Sequence, residues 1–394
     1  MIACGLDRLL ADPSRLAGRK YGLLAHGASV SAELVPAHLA LCRVGHLPAR
    51  LFGPEHGFYG VEQDMVAARD DVDPWTGVEI VSLYGDDVAS LKPRREAFAG
   101  LDLVIIDLQD IGARYYTFAA TAVWTVEAAL GAGIEVWVLD RPNPLGGVEI
   151  EGNLPDPGYE SFVGAFRMPV RHGLTLGEIV RLELARLGAD TTGLEVTTMV
   201  GWQRSALWDQ LGRAWIAPSP NMPDFSTALV YPGMCLLEAT EVSEGRGTTR
   251  PFRLFGAPGI DPPELARALA CLAECGVAAV PTYFRPWNLK HRGEVCGGVE
   301  LVILDARRVR ALRLGVEALA ALRSCLGDEL RWRSEPYEFV SDRPALDLLA
   351  GSDALRRALE GDGGLEEWVS SWSRDEETFR AEREPFLLYP ERED

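Results

Sequence analysis

The chain has 394 residues, 47% of them hydrophobic, which is enough for two domains with substantial cores and too apolar for a disordered protein. Its 58 acidic against 39 basic residues give a formal net charge of -19, which argues against nucleic acid, since phosphate backbones call for a basic face. The expected partner is a neutral or locally recognised small molecule. The seven cysteines are scattered, with no CxxC pair and no Cys/His cluster at zinc spacing, so reduced thiols and no metal site are expected. Cys271 and Cys275, four apart on one predicted helix face, read as buried small apolar side chains. No window reaches the roughly 18 to 20 continuous apolar residues that span a bilayer, and no basic segment precedes an apolar one at the start. The expectation is no membrane partner and a cytoplasmic protein as written, periplasmic or secreted if a leader has been removed.

In chain order, "RKYGLLAHG", "ARLFGPEHG", "VEIVSLYGD", "LDLVIIDLQD" and "IEVWVLDRPNP" each read as a buried strand ending in polar or Gly/Pro residues. Between them, "SAELVPAHLALCRV" and "TFAATAVWTVEAALGAG" have helical length and composition. Strands alternating with helices predict an α/β fold, a Rossmann-like doubly wound parallel sheet. From about residue 174 the texture changes. "LTLGEIVRLELARLG" predicts a helix, and residues 215–259 read as one long Pro/Gly-rich passage with little periodicity, of the kind that carries function. Beyond it, "DPPELARALACLAECG", "VRALRLGVEALAALRSC" and "DALRRALE" predict helices and "CGGVELVILD" a strand, giving a second, smaller α+β domain. The predicted division is 1–230 and 231–394. The charged tail "SRDEETFRAEREPFLLYPERED" reads as a solvated helix followed by an extended segment.

In doubly wound sheets ligands bind outside the carboxyl ends of the strands. Glu55, His56, Asp107, Gln109, Asp110, Asp140, Arg141 and Asn143 all follow predicted strands there, as ligand groups or as caps and loop ties. No GxGxxG follows the first strand and no GxxxxGK[ST] occurs, so no nucleotide cofactor is expected. In "RLFGPEHGFYG", Glu55 and His56 cannot both point the same way, so one faces a cleft while the other braces it. A carboxyl held between Pro54 and Phe58 is partly desolvated, as a general acid requires. Asp110, Glu241 and Glu244 are candidates for a second carboxylate.

In "SEGRGT", Gly245 and Gly247 allow close approach to a ligand, and Arg246 offers a fork for a carboxylate; the alternative is an internal Glu–Arg bridge. Arg114 reads as a substrate clamp or as the partner of Asp110, and Tyr115 and Tyr116 as stacking platforms or core. Thr175 and Glu178 are spaced as a capping box, which leaves His172 before them unexplained. His26, His38, His46 and His291 read as ordinary histidines.

The segments "LFGPEHGF", "DLQDIGARYYTF", "LDRPNPLGG", "EGNL", "MPVRHGLTLGE", "PSPNMP", "YPGMCLLEATEVSEGRGTTRPF", "GAPG" and "CGGVELVILD" occur in order. Together they closely resemble the exo-β-N-acetylmuramidases, glycoside hydrolase family 171. The resemblance implies a Rossmann-like N-terminal domain, a smaller C-terminal domain, a cleft between them and no nucleotide cofactor. The implied activity is removal of terminal β-1,4-linked N-acetylmuramic acid from the non-reducing ends of peptidoglycan fragments. Carried over, Glu55 in "PEHG" is the catalytic glutamate, and Glu244 and Arg246 lie on the second-domain side. Asp110 completes the catalytic set, with His56, Arg114, Tyr116, Asn143, His172, Asn221 and Arg246 as sugar-binding residues. Arg246 or Arg114 would meet the lactyl carboxylate of muramic acid, and the sugar's own 2-acetamido group is an alternative nucleophile. The chain departs from the family at His26 and Ser29, where an Asn-x-Thr-Gly-like turn is usual, and at Glu238, Ala239 and Thr240, where Glu-Gly-Thr is usual. The competing expectations are a non-catalytic cell-wall-sugar binder and a hydrolase of another β-glycoside.

Overall fold

A computed structural model describes residues 2–63, 66–85, 87–362 and 364–391. Six parallel strands form the first sheet: β1 (Tyr21–Ala25), β2 (Arg50–Gly53), β4 (Glu79–Ser82), β5 (Leu103–Asp107), β6 (Glu135–Leu139) and β7 (Leu194–Thr197). The two-residue β3 (Asp71–Val72) pairs antiparallel with β4 at one edge, so the seven-stranded order is β3-β4-β2-β1-β5-β6-β7. Without that edge strand, the order reverses between β1 and β5 as in doubly wound folds, and the expected α/β fold is observed. Its central strands are apolar runs, "YGLLA" and "LVII" with Asp107 closing the second, because helices cover both faces and every position is buried.

The second, smaller sheet is antiparallel, in the order β8 (Leu254–Ala257), β10 (Cys296–Ile303), β9 (Val277–Phe284). Pro281 lies inside β9, which is tolerated because β9 is an edge strand. Helix Phe225–Met234 crosses helix Ala311–Leu326 at Gly233 and Gly315, where a Cβ on either residue would run into the other backbone. No described helix is long and apolar enough to cross a membrane.

Four expectations are corrected. The segment 215–259 is not one long loop. It contains the helix Phe225–Met234, a 3-10 turn Cys235–Ala239 and β8, and lacks periodicity because residues 227–240 are buried on every side. The predicted helix "SAELVPAHLALCRV" shortens to Ala37–Arg43, since Pro36 cannot donate within a helix and serves as its cap. Cys271 is exposed and Cys275 half-buried, because the chain tightens there into the 3-10 turn Ala270–Cys275.

The tail, finally, is docked rather than solvated. Helix Leu365–Arg383 buries Trp372, Phe379 and Arg383, and Arg383 donates to the carbonyls of His172 (3.0 Å) and Gly173 (2.8 Å). Beyond it, the Tyr389 hydroxyl donates to Asp140 at 2.5 Å, and Glu178 accepts from the Leu388 amide at 2.8 Å. Asp140 also accepts from Thr175 and Gly177, while burial pushes its carboxyl up to about 6.

Candidate active site

At the switch point between β1 and β5 the chain meets its own side chains. Arg141, just after β6, grips Asp107 at the end of β5 through two bonds of 2.6 and 2.8 Å, both groups buried. His26, just after β1, accepts from the Gln109 amide through Nε2 at 2.9 Å. Burial, reinforced by Arg141, pushes His26 down to about 3, so the ring is neutral. Ser29 donates to the Asp107 carbonyl. These residues lock three strand ends together.

One strand over, β2 ends in the turn 54–57, closed by a 2.9 Å bond from the Gly57 amide to the Pro54 carbonyl. His56 and Gly57 take φ of +69° and +76°, a left-handed pair that reverses the chain immediately after Glu55. His56 is tied through Nδ1 to the Glu62 carbonyl at 3.0 Å. Glu55 is 5% exposed, and its Oε2 accepts from the Thr117 hydroxyl at 2.6 Å. Thr117 caps the helix Phe118–Gly131, which follows β5, so the carboxylate is held between two strand ends. No cation forms an ion pair with Glu55 among the described residues.

Glu55 and His56 face a narrow pocket. Tyr116, Thr117, Ser219 and Asn221 continue this first wall, and Glu238, Arg246, Tyr337 and Glu338 form the opposite one. Both predicted domains therefore contribute.

The opposite wall is built from paired charges. Glu238 accepts from Arg246 at 2.9 Å and from the Tyr337 hydroxyl at 2.8 Å. Burial, and the charge of Glu238 after it, hold the Tyr337 hydroxyl well above the ordinary tyrosine range. The Arg246 guanidinium also lies 5.3 Å from the Phe252 ring centre. Glu244 pairs with Lys290 at 2.7 Å, and Lys290 reaches the carbonyls of Leu237 (3.0 Å) and Val242 (3.2 Å) as well. Glu244 borders an adjacent pocket with Lys290 and Thr240, not the one holding Glu55. Arg246 borders both.

Four of the remaining candidates, Asp110, His172, Arg114 and Asn143, lie outside the Glu55 pocket. Asp110 accepts from the Gly112 amide at 2.6 Å and lies 3.5 Å from His172 Nε2, while His172 Nδ1 accepts from the Leu174 amide at 3.1 Å. The histidine left unexplained by capping thus braces the loop after β5. Arg114 donates to the carbonyls of Asn153, Met168 and Leu349, each at 2.9 Å, and burial lowers its guanidinium to about 10. It is neither a clamp in this pocket nor the partner of Asp110. Asn143 bonds the Leu174 carbonyl and the Leu145 amide, both at 2.9 Å. Asn221 does border the pocket and donates to Gln63 at 3.1 Å. Tyr116 borders it beside Ser219, its hydroxyl pushed well above the ordinary range by burial.

Gly245 and Gly247 also have a different use from the one expected. Both take positive φ, and a Cβ there would strike the Leu254 or Asn288 carbonyl at 2.5 Å, so they admit the chain's own backbone rather than a ligand. The anticipated Glu244–Arg246 bridge is long, at 3.9 Å, and each partner has a closer one. Sequence reasoning missed Thr117, Glu238, Tyr337 and Glu338 as wall residues. Only Glu238 carried a signal, as the first residue of the departure from Glu-Gly-Thr.

Family comparison covers nearly all of the chain. Residues 21–226 match the model described as "Exo-beta-N-acetylmuramidase NamZ, N-terminal", and residues 229–389 match "Exo-beta-N-acetylmuramidase NamZ, C-terminal". The peptidoglycan beta-N-acetylmuramidase NamZ of Bacillus subtilis (strain 168) is 36% identical over 390 residues, 98% of this chain and 91% of that protein. Two crystal structures of DUF1343 family proteins from Bacteroides fragilis share the fold. One has a TM-score of 0.88 at 30% identity, covering 98% of this chain and 99% of its own. The other has a TM-score of 0.77 at 26% identity, covering both chains fully, at 100% each.

Proposed function

Since the chain belongs to the exo-β-N-acetylmuramidase family, matched along both halves, we propose that it uses Glu55 as proton donor to release N-acetylmuramic acid from peptidoglycan. It is a glycoside hydrolase acting on terminal non-reducing β-1,4-linked residues. The observation that supports the role of Glu55 is its setting: a buried carboxyl in the inter-domain pocket, held by one hydroxyl rather than by a cation. The acid form donates its proton to the glycosidic oxygen as the C1–O bond breaks, and the conjugate base then takes a proton from the incoming water.

For the group that meets the developing charge at C1, the pairing of the other carboxylates favours the substrate's 2-acetamido oxygen. Glu238 is already engaged by Arg246 and Tyr337, Glu244 by Lys290, and Asp110 by the Gly112 amide. In this reading Glu238 and Tyr337 orient the acetamido group, and Arg246 meets the lactyl carboxylate as the cation bordering the pocket. Tyr116 supplies an aromatic face, and Asn221 and His56 supply polar contacts. We take residues 1–230 as the unit carrying Glu55 and 231–394 as the unit that completes the cleft.

The test is a side-by-side assay of purified protein on chromogenic β-muramide, β-N-acetylglucosaminide and β-glucoside, together with a muramyl-glucosamine disaccharide. Release of muramic acid from the first and last is expected. Tight calorimetric binding of muramic acid without turnover would instead make the protein a sugar binder, and turnover of only the other glycosides would refute the substrate.

A further inference from the structure

The turn 337–340 contributes to the pocket but was not anticipated from sequence. Tyr337 and Val340 exchange backbone hydrogen bonds of 3.0 and 2.9 Å, so the two residues between them form a two-residue hairpin loop. Those residues, Glu338 and Phe339, have φ of +47° and +68°. Two successive left-handed residues make a type I′ loop, which strongly favours Asn-Gly. Glutamate and phenylalanine are poor choices for it, and neither has the short amide that eases this conformation. Backbone strain kept at the mouth of a site indicates side chains held for what they do.

The flanking contacts show what the turn spans. The Tyr337 hydroxyl donates to Glu238 on the second-domain wall at 2.8 Å. Phe339 packs on Tyr84, ring centres 6.0 Å apart, and Tyr84 in turn on Phe162 at 5.8 Å. Tyr84 follows β4 of the first sheet. The turn is thus fastened to both sides of the cleft and bridges it, with the buried Glu338 at its tip bordering the same pocket as Glu55.

An exo-acting enzyme must admit one terminal sugar and refuse a longer chain on its non-reducing side. A groove open at both ends cannot do this, whereas a bridge across one end can. The departing sugar has to leave through the open mouth, so the bridge belongs on the side of the terminal residue's free hydroxyls. Resting on the proposed activity and on Glu55 as acid, we propose that the turn 337–340 is the end wall that makes this site exo-acting. Glu338 is the specificity-determining carboxylate, accepting hydrogen bonds from the free hydroxyl at C4 of the terminal sugar. A sugar already substituted at C4 offers no such proton and meets the wall.

The experiment compares a chromogenic β-muramide bearing a free 4-hydroxyl with its 4-O-methyl ether, on wild type, Glu338→Ala and Glu338→Asn. The asparagine variant suits the left-handed turn and keeps it folded, while its shorter side chain loses the reach. Wild type should prefer the free hydroxyl by 100-fold or more in kcat/KM. Both variants should lose about 10- to 100-fold on the free-hydroxyl substrate, mainly through KM, with the methyl ether little changed, so the preference falls at least tenfold. An equal loss on both substrates, or an unchanged preference in the folded asparagine variant, overturns the assignment of Glu338. If wild type turns over neither substrate, the proposed hydrolase activity fails first and this inference with it.

Discussion

Glu55 and Glu238 face each other across one pocket, yet their surroundings are opposite in kind. Glu55 sits at the end of a parallel strand, 5% exposed, with a neutral hydroxyl donor. Glu238 is equally buried but carries an arginine and a tyrosine, and Glu244 beyond it carries a lysine. A carboxylate matched by a buried cation stays ionised and in place, which suits orientation. One lacking such a partner can exchange a proton during turnover. In the proposed mechanism the two walls share a residue type and divide the labour by what each glutamate touches.

Replacing Glu55 with glutamine probes this division most severely. Shape is kept and the proton is lost, so kcat should fall about 10³-fold, roughly 4 kcal/mol of barrier, with the melting temperature little changed. Retention of more than a tenth of the activity on a chromogenic muramide would reverse the roles of the walls. Next comes Lys290→Met, which strands the buried Glu244. About 2 to 3 kcal/mol of stability should be lost in urea unfolding, less than for a fully enclosed pair because Lys290 is partly exposed, while kcat stays within about threefold. A large fall in kcat with intact stability would bring Glu244 into the chemistry.

Thr117→Val removes the hydroxyl that donates to Glu55 while keeping its volume, and about a tenfold loss in kcat is expected, near 1.4 kcal/mol. No change would show that the turn 54–57 alone positions the acid.

The effect that is smallest at neutral pH lies behind the first wall. His26 packs against Phe118, ring centres 4.8 Å apart, beside Thr117. Its folded pKa of about 3 lies below the roughly 6.5 of an unfolded chain, so between these values the unfolded state binds the extra proton. Stability from this group is therefore complete above about pH 6.5 and is lost as pH falls toward 3, at up to about 1.4 kcal/mol per pH unit. His26→Gln, whose side chain can still accept from the Gln109 amide, should flatten that acid limb in denaturant titrations from pH 7 to 4. An unchanged slope would mean the ring is protonated in the folded protein.

The first sheet was legible because its strands announce themselves. "LVII" and "VWVL" are apolar without interruption, as strands covered on both faces must be, and the turn residues that follow them point to the strand ends. The turn that carries Glu55 was legible for the same reason. The second wall was not. Residues 227–240 are buried all round, which erases periodicity, and Glu238 gains meaning only when Arg246 and Tyr337 arrive from elsewhere in the chain. Arg114 misled in the opposite direction. A lone arginine beside two tyrosines looks like a ligand clamp, but its donors go to three carbonyls, one of them 235 positions away. Charge in "SRDEETFRAERE" likewise concealed the docked face, because its one buried apolar side chain, Phe379, sits among polar and charged neighbours.

The docked tail also bears on how the two walls are held together. The chain passes to the second sheet once, near residues 226–229, and comes back along helix Leu365–Arg383 to finish on Asp140. Two separate crossings, added to one hydrophobic core that runs from Leu24 and Phe52 through to Leu349 and Leu355, hold the wall that carries Glu238 in register with the wall that carries Glu55.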